Sequence, residues 1–600
     1  MAPRPGRQSQ HLGGSYIQYR ELFDGSATVG DVIALVRELN KQEALLHITG
    51  MTAHLRWALD EPDREHLSRV HETLVATFID DVILERLKQR LGTARTDERV
   101  VFHPAQLLHL ASLVLRHSQG PASKEPDDAN VRYRLGKAAL MLNDVLLSQE
   151  EESQITAGTD DARRSALMLQ MLVPFEITNP PRLRHLLFRS HLLYRVILRD
   201  SAVLDDIRRR CRNIDIGAEC QKACGLPFNT WLSLIFAVYS YYGRYVHLEA
   251  GKVTQSPEHF LIDPNVFVGK SAITSEQLAL FLRPLVWSLE ELTKESFASR
   301  PADIRYDFVP FKSRPLWKVE NGKIACLDLA FLAEKLHTGV FWLIHDRLSE
   351  ERRSDLFKAW GILFERYVNW LFAHADLGPD ILFFSFPSWA RDKAESFDGI
   401  LRKGSLLVVM EYKGGFLSQE AKYSASLDAF TADLDRKIGD GCRQLARKLH
   451  ALFNPDRKLR KQLKDVPVEG VTRVLPVLIV QDHIARGPLV NWWLNRLFSR
   501  LRSEFPTSAA LEIMPLNVVH AHELESLLAT CGPGGFDPIY GLHHRAVRDP
   551  EMLGELHNFL FTIPGYGQVN SPLWRELDKQ VWKEIASELF PKDWKPLENG

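Results

Sequence analysis

Cysteine is scarce. Six thiols, at positions 211, 220, 224, 326, 442 and 531, are too few and too scattered for a disulfide framework, which points to a reducing, cytoplasmic setting. Cys211, Cys220 and Cys224 lie close in sequence, yet their spacing fits no zinc module, and Cys220 and Cys224 stand one helical turn apart. Neither sign of charge dominates. With 75 basic and 76 acidic residues the formal charge is -1, so any nucleic-acid surface has to be local. Long apolar runs are missing too: the longest, around Trp231 to Tyr242, is too short and too polar at its ends to span a bilayer, and no membrane partner is expected. The opening MAPRPGRQSQHLGG lacks the apolar core of a signal peptide and reads as a flexible lead-in over 1–27. No internal repeat of fixed period supports a solenoid.

What is present is an ordinary globular composition, 45% hydrophobic and 25% charged, over a length that suits about two to four domains. Residues 28–249 read as an all-α region. VGDVIALVRELNKQEALLHI, LSRVHETLVATFIDDVILERLKQRL, PAQLLHLASLVLRH and VRYRLGKAALMLNDVLLS all place apolar residues three and four apart. Polar stretches at 118–130 and 148–162 separate them. The run Arg208 to Arg210 follows Asp205 and Asp206 and reads as a solvated helix face with local pairing. YVHLEAGKV reads as a short strand, and residues 250–350 read as a small mixed α/β connector in which LWKVENGKIACLD predicts a hairpin with a type I′ turn at Asn321-Gly322.

The stretch around which the rest is organised is FDGILRKGSLLVVMEYKGG, Phe397 to Gly415. It predicts two strands joined by a tight turn over Arg402 to Ser405. Alternation puts Leu407, Val409, Glu411 and Lys413 on one face of the second strand. A carboxylate and an ammonium at the end of so apolar a strand require partners, and the hairpin brings Asp398 beside them. Two converging carboxylates suit a hard cation such as Mg2+, and a neighbouring lysine can offset charge on a phosphate.

Asp398, followed at a distance by Glu411-Tyr412-Lys413, resembles the PD-(D/E)xK nuclease superfamily, although Phe397 stands where that motif has its proline. The resemblance covers about residues 350–530. It implies an α/β restriction-endonuclease-like domain over 351–535, a central mixed β-sheet flanked by helices. By that resemblance Asp398, Glu411 and the Tyr412 carbonyl bind Mg2+, for which Mn2+ can substitute, and Lys413 acts as an electrostatic stabiliser. Glu365, on the helix Asp355 to Ala375, stands where the family carries a further acid, although its stripe with Lys358, Ile362 and Asn369 equally suits a wet helix face. Gln444 matches a glutamine on the helix after the Glu-x-Lys strand, and the resemblance implies that it contacts nucleic acid. The implied activity is metal-dependent hydrolysis of nucleic acid, DNA in the first place, in a restriction-type defence effector regulated through its helical N-terminal region by a partner protein or a second copy.

Arg436 to Lys464 holds ten lysines and arginines against Asp440 and Asp456, a local charge of +8. Here Arg443, Arg447, Lys448, Arg457, Lys458, Arg460 and Lys461 are expected to contact phosphate. The competing reading is a solvated loop. VTRVLPVLIV (471–480) predicts a buried strand whose Pro476 forces a bulge or an edge. His520, His522 and Glu523 lack HExxH spacing and read as a strand-to-helix turn. Residues 536–600 read as a C-terminal helical extension. For Asp398, Glu411 and Lys413 together the alternatives are an ordinary cross-strand ion pair in an inactive nuclease-like scaffold that acts through partners, or a DNA-binding module without cleavage.

Overall fold

Helices dominate the N-terminal half because its apolar residues recur at helical spacing and its polar breaks supply caps. The computed structural model describes residues 16–60, 64–91, 100–121, 129–146, 160–178, 180–211, 214–246, 257–269, 272–298, 308–385, 397–453, 468–487, 489–505, 511–532, 536–564, 566 and 571–589. The first expected helical stretch is two helices, Val29–Arg37 and Lys41–Asp60, parted where the Asn40 side chain accepts from Glu43 N–H. The second likewise divides into Arg64–Phe78 and Asp81–Leu91, with Asp80 capping Ile83 N–H at 2.8 Å. In each case a short polar side chain satisfies an orphan donor and starts a new helix. Arg208, Arg209 and Arg210 are largely exposed and pair with Asp205 and Asp206. No single described helix is long and apolar enough to cross a membrane; only the pair Ile216–Cys224 and Phe228–Gly243, bent by 48°, passes by length and composition.

The connector holds a three-stranded sheet, β1 (Val286–Ser288), β2 (Leu316–Lys318) and β3 (Ile324–Cys326), with β1 parallel and β3 antiparallel to β2. Its hairpin differs from the type I′ expectation. Gly322 alone is left-handed, at φ +82°, and its N–H closes on Val319 O, so the turn needs one positive φ instead of two. The strand expected at YVHLEAGKV lies largely outside the described residues.

A mixed sheet occupies the C-terminal half. Its strands are β4 (Leu382–Ser385), β5 (Gly399–Lys403), β6 (Leu406–Lys413), β7 (Arg473–Val480), β8 (Glu512–Ile513) and β9 (Asn517–His520). β4, β5 and β6 run antiparallel in turn, β7 lies parallel to β6, and β8 and β9 both pair in parallel with β7. β5 turns into β6 through Gly404 and Ser405, and Gly404 takes φ +55°, which glycine adopts without steric cost. β6 is buried on both faces up to Lys413, hence its almost continuous apolar sequence. Val408, Met410 and Tyr412 pack with Trp360, Phe364 and Tyr367 of the helix Glu350–His374. Leu407 and Val409 pack with Leu445 and Leu449 of the helix Asp440–Phe453.

Pro476 makes neither a bulge nor an edge strand. It pairs with Val409 inside the sheet. It shares the parity of Val474, whose carbonyl accepts from Met514 N–H at 2.9 Å, so the donor it lacks faces the interval between the end of β8 and the start of β9. The ladder forks where proline could not have continued it.

Buried ion pairs fasten the helical half to the connector and the sheet-bearing half. Arg56 meets Asp328 at 2.6 Å. Glu176, 4% exposed, takes Lys312 at 2.8 Å and Tyr423 OH at 3.0 Å, with Lys422 at 3.5 Å. Burial opposes ionisation of Glu176, but the ammoniums of Lys312 and Lys422 prevail and hold its carboxyl well below the usual range. Arg189 meets Glu525 at 2.6 Å.

Candidate active site

The β5–β6 register sets the site. Gly399 pairs with Met410, so Asp398, one residue beyond the ladder, stands opposite Glu411. Residues opposed across an antiparallel pair share a face. The entry into β5 is locked from the backbone: Asp398 N–H donates to Met410 O at 3.1 Å, and Asp398 Oδ2 accepts Tyr412 N–H at 2.7 Å. A strand residue presents its N–H and C=O to the same flank, so the Tyr412 carbonyl also faces Asp398.

Glu411 lies between two ammoniums. Lys448 Nζ donates to its Oε2 at 2.6 Å and Lys413 Nζ to its Oε1 at 3.2 Å. Their side chains are only 8%, 15% and 3% exposed for Lys448, Lys413 and Glu411, so these pairs are desolvated. Lys413 Nζ also donates to Gln444 Oε1 at 3.0 Å and lies 3.5 Å from Asp440 Oδ2. Gln444 Nε2 in turn donates to that same Oδ2 at 2.7 Å. Asp440, Gln444 and Lys448 recur every four residues on the helix Asp440–Phe453, and one stripe therefore meets the end of β6. A π-helical turn, Asp435–Gly439, leads into that helix and sets the stripe's rotation.

From the opposite side comes the helix Glu350–His374. Asn369 Oδ1 accepts the Tyr412 hydroxyl at 3.2 Å, and Glu365, one turn earlier, raises the proton affinity of both Asp398 and Tyr412. Asp398 itself is pushed well above the ordinary carboxylate range. Burial is the largest cause and the Glu411 charge the next, with Glu365 adding to them, against opposition from Lys448 and the Tyr412 N–H. Two carboxylates and a backbone carbonyl that converge in this way fit a hard divalent cation, whose charge would favour the ionised form that burial disfavours. Imidazole and thiolate are absent from the donor set, which suits Mg2+ or Mn2+.

The expected residues do not all arrive at one place. Asp398, Glu411, Tyr412, Lys413 and Gln444 do, with Glu365 in electrostatic reach. Lys448 corrects the sequence-based expectation of a phosphate contact: it is buried and bound to Glu411. Arg443 turns back to the Asp435 side chain and to Asp435 O at 3.2 Å. Arg447 is exposed, its guanidinium 5.9 Å from the Phe505 ring centre. Arg457, Lys458, Arg460 and Lys461 lie outside the described residues. The buried role of Lys448 is not evident from the sequence, although its four-residue spacing from Gln444, between the core positions Leu445 and Leu449, is the available signal.

Gly441 gives the site a tight floor. A Cβ there would stand 2.5 Å from Leu478 Cδ1 and 3.0 Å from Lys413 Cε. Gly441→Ala is therefore expected to displace the Lys413 ammonium while leaving Asp398 and Glu411 in place. A shift of about 1 Å in a reacting group costs up to about 100-fold in rate. The outcome to look for in steady-state cleavage assays is a fall in kcat with Mn2+ affinity retained; unchanged kcat would show that Lys413 tolerates the shift.

Comparison of the chain with protein-family models, with curated proteins and with solved structures finds no match.

Proposed function

We propose that the protein is a Mg2+-dependent nuclease that hydrolyses phosphodiester bonds, with DNA as its substrate. The observation that carries this is the cross-strand placement of Asp398 opposite Glu411, with the Lys413 ammonium 3.2 Å from Glu411. The element order supports it: a long helix, three antiparallel strands, helices, then a strand parallel to the third, which is the order of the restriction-endonuclease-like fold.

Asp398, Glu411 and the Tyr412 carbonyl would hold the cation. When bound, it supplies charge to the scissile phosphate and a more acidic water. Lys413 presents a fixed positive charge to the phosphate, and Gln444 and Asp440 aim it. Glu365 and Asn369 border the site from the other helix, and Asn369 steadies Tyr412. Lys448 holds Glu411 in its rotamer. Arg447, exposed on the helix that carries Gln444 and Lys448, is placed to meet the phosphate backbone of a duplex. The helical half, fastened by buried ion pairs, is read as the part through which a partner or a second copy controls cutting in a cytoplasmic defence system.

Cleavage of plasmid and single-stranded DNA with Mg2+, Mn2+ or EDTA, beside Asp398→Ala and Lys413→Ala, tests this. Expected is metal-dependent cutting, reduced by about 100- to 1,000-fold when the Lys413 charge is removed. A second reading rests on one observation, that Glu411 is already neutralised by two lysines: the cluster is then a structural ion pair in a scaffold. Absence of cutting, together with absence of Mn2+ binding at Asp398 and Glu411, would select it.

A further inference from the structure

A second cluster of metal-ligating side chains lies away from Asp398 and Glu411. His522 and Glu525 sit three residues apart on the helix Ala521–Ala529 and therefore share a face. His185 reaches them from the helix Leu183–His191 of the N-terminal half. One candidate donor atom from each of the three lies within 4.8 Å of the others. His185 Nδ1 and Glu525 Oε2 are 3.2 Å apart. Metal–nitrogen and metal–oxygen bonds of about 2.0–2.2 Å in a tetrahedral zinc site place neighbouring donors roughly 3.4 Å apart, so one edge of such a site is already set.

Two further observations point to a ligand. Glu525 Oε1 is fully engaged, by Arg189 Nε at 2.6 Å and Tyr367 OH at 2.5 Å, which fixes the carboxylate and turns Oε2 toward His185. Outer partners that orient a ligating carboxylate in this way are a regular part of metal sites. His522 is 6% exposed, and its buried Nδ1 has no hydrogen-bond partner among the described residues. The positive charges nearby are answered: Arg189 by Glu525, and Arg486 by Glu555 at 3.3 Å and Glu523 at 4.0 Å. His520 and Glu523, by contrast, are a helix cap: Glu523 accepts His520 N–H at 3.0 Å and His520 Nδ1 accepts His522 N–H at 3.2 Å.

We infer that His185, His522 and Glu525 form a site for a first-row transition ion, zinc in the first place, that clasps the helical half to the sheet-bearing half. Two imidazoles and one carboxylate suit Zn2+ and disfavour Mg2+. The site is independent of the one at Asp398.

The test uses the full chain, stripped with EDTA, reloaded with Zn2+ and desalted. Expected by elemental analysis is about one Zn2+ per chain, with an upward shift of the unfolding midpoint and, for Co2+ in place of Zn2+, the strong visible bands of tetrahedral coordination. His185→Ala and Glu525→Gln should each weaken Zn2+ binding by more than about 100-fold, beyond what loss of an outer partner costs. Asp398→Ala should retain the ion. His185 is the part-exposed member, so its variant remains informative if substitution of His522 or Glu525 prevents folding. Failure to retain stoichiometric Zn2+, or retention unchanged in folded His185→Ala, overturns the assignment.

Discussion

Asp398→Asn is expected to yield a protein that is more stable than the parent at neutral pH without metal, and inactive. The native carboxyl of Asp398 binds its proton more tightly than an unfolded aspartate does, because burial and the Glu411 charge disfavour ionisation. Between the ordinary aspartate value of about 3.9 and the raised native value, the folded state holds more protons than the unfolded one, so stability falls as pH rises through that window. Asparagine carries no charge at any pH and escapes that loss, while its amide oxygen can still accept from Tyr412 N–H. Thermal unfolding from about pH 4 to 8 in EDTA should show the variant ahead at about pH 7 and the two proteins converging toward about pH 4. With Mg2+ the parent should gain and the variant should not, and cleavage should fall by more than about 100-fold, since loss of a ligand exceeds the loss of an outer partner. A variant less stable than the parent at neutral pH would mean that the carboxylate is ionised and well paired without metal. By the same linkage, cation binding to the parent should release a proton and weaken as pH falls.

Lys448→Met should have the opposite sign. The Lys448 ammonium is 2.6 Å from Glu411 Oε2, and both side chains are nearly sealed from water. Breaking a buried pair outright costs about 3–5 kcal/mol; Glu411 keeps Lys413 Nζ at 3.2 Å, so the loss should fall below that range. Methionine fills the space of the lysine stem, so the loss reports charge and not a cavity. A divalent cation supplies positive charge at the same carboxylate, and so saturating Mn2+ should recover much of the lost stability. Denaturant unfolding with and without Mn2+ measures both quantities. A loss that Mn2+ leaves untouched would place the lysine in a structural role unrelated to metal.

Much of the sheet that carries the candidate site is legible in the sequence because its strands are short, apolar and bounded by turn formers. The hairpin over Phe397 to Lys413 follows from alternation and one glycine, and the cross-strand opposition of Asp398 and Glu411 follows from the hairpin. The strand over 471–480 is legible by composition, but the place of Pro476 is not, because one sequence does not show that two short strands share the flank of β7. Lys448 looks like part of a basic run; only the packing of its helix against β6 turns it inward. His185 and Glu525 are separated by 340 residues, and their meeting depends on tertiary contacts that no local pattern encodes.

The buried pairs that join Arg189 to Glu525, and Glu176 to Lys422 and Tyr423, bear on how such a chain can be inherited. A recombination event that carried residues 351–535 into another gene would bring Glu525 without Arg189, and Lys422 and Tyr423 without Glu176. Lys422 would keep Asp482 at 2.8 Å, but Glu525, buried again without its arginine, would cost about 3–5 kcal/mol against a total of about 5–15 kcal/mol for a typical fold. The strands that hold Asp398 and Glu411 are thus a poor cassette for shuffling, and descent should keep them together with their helical half.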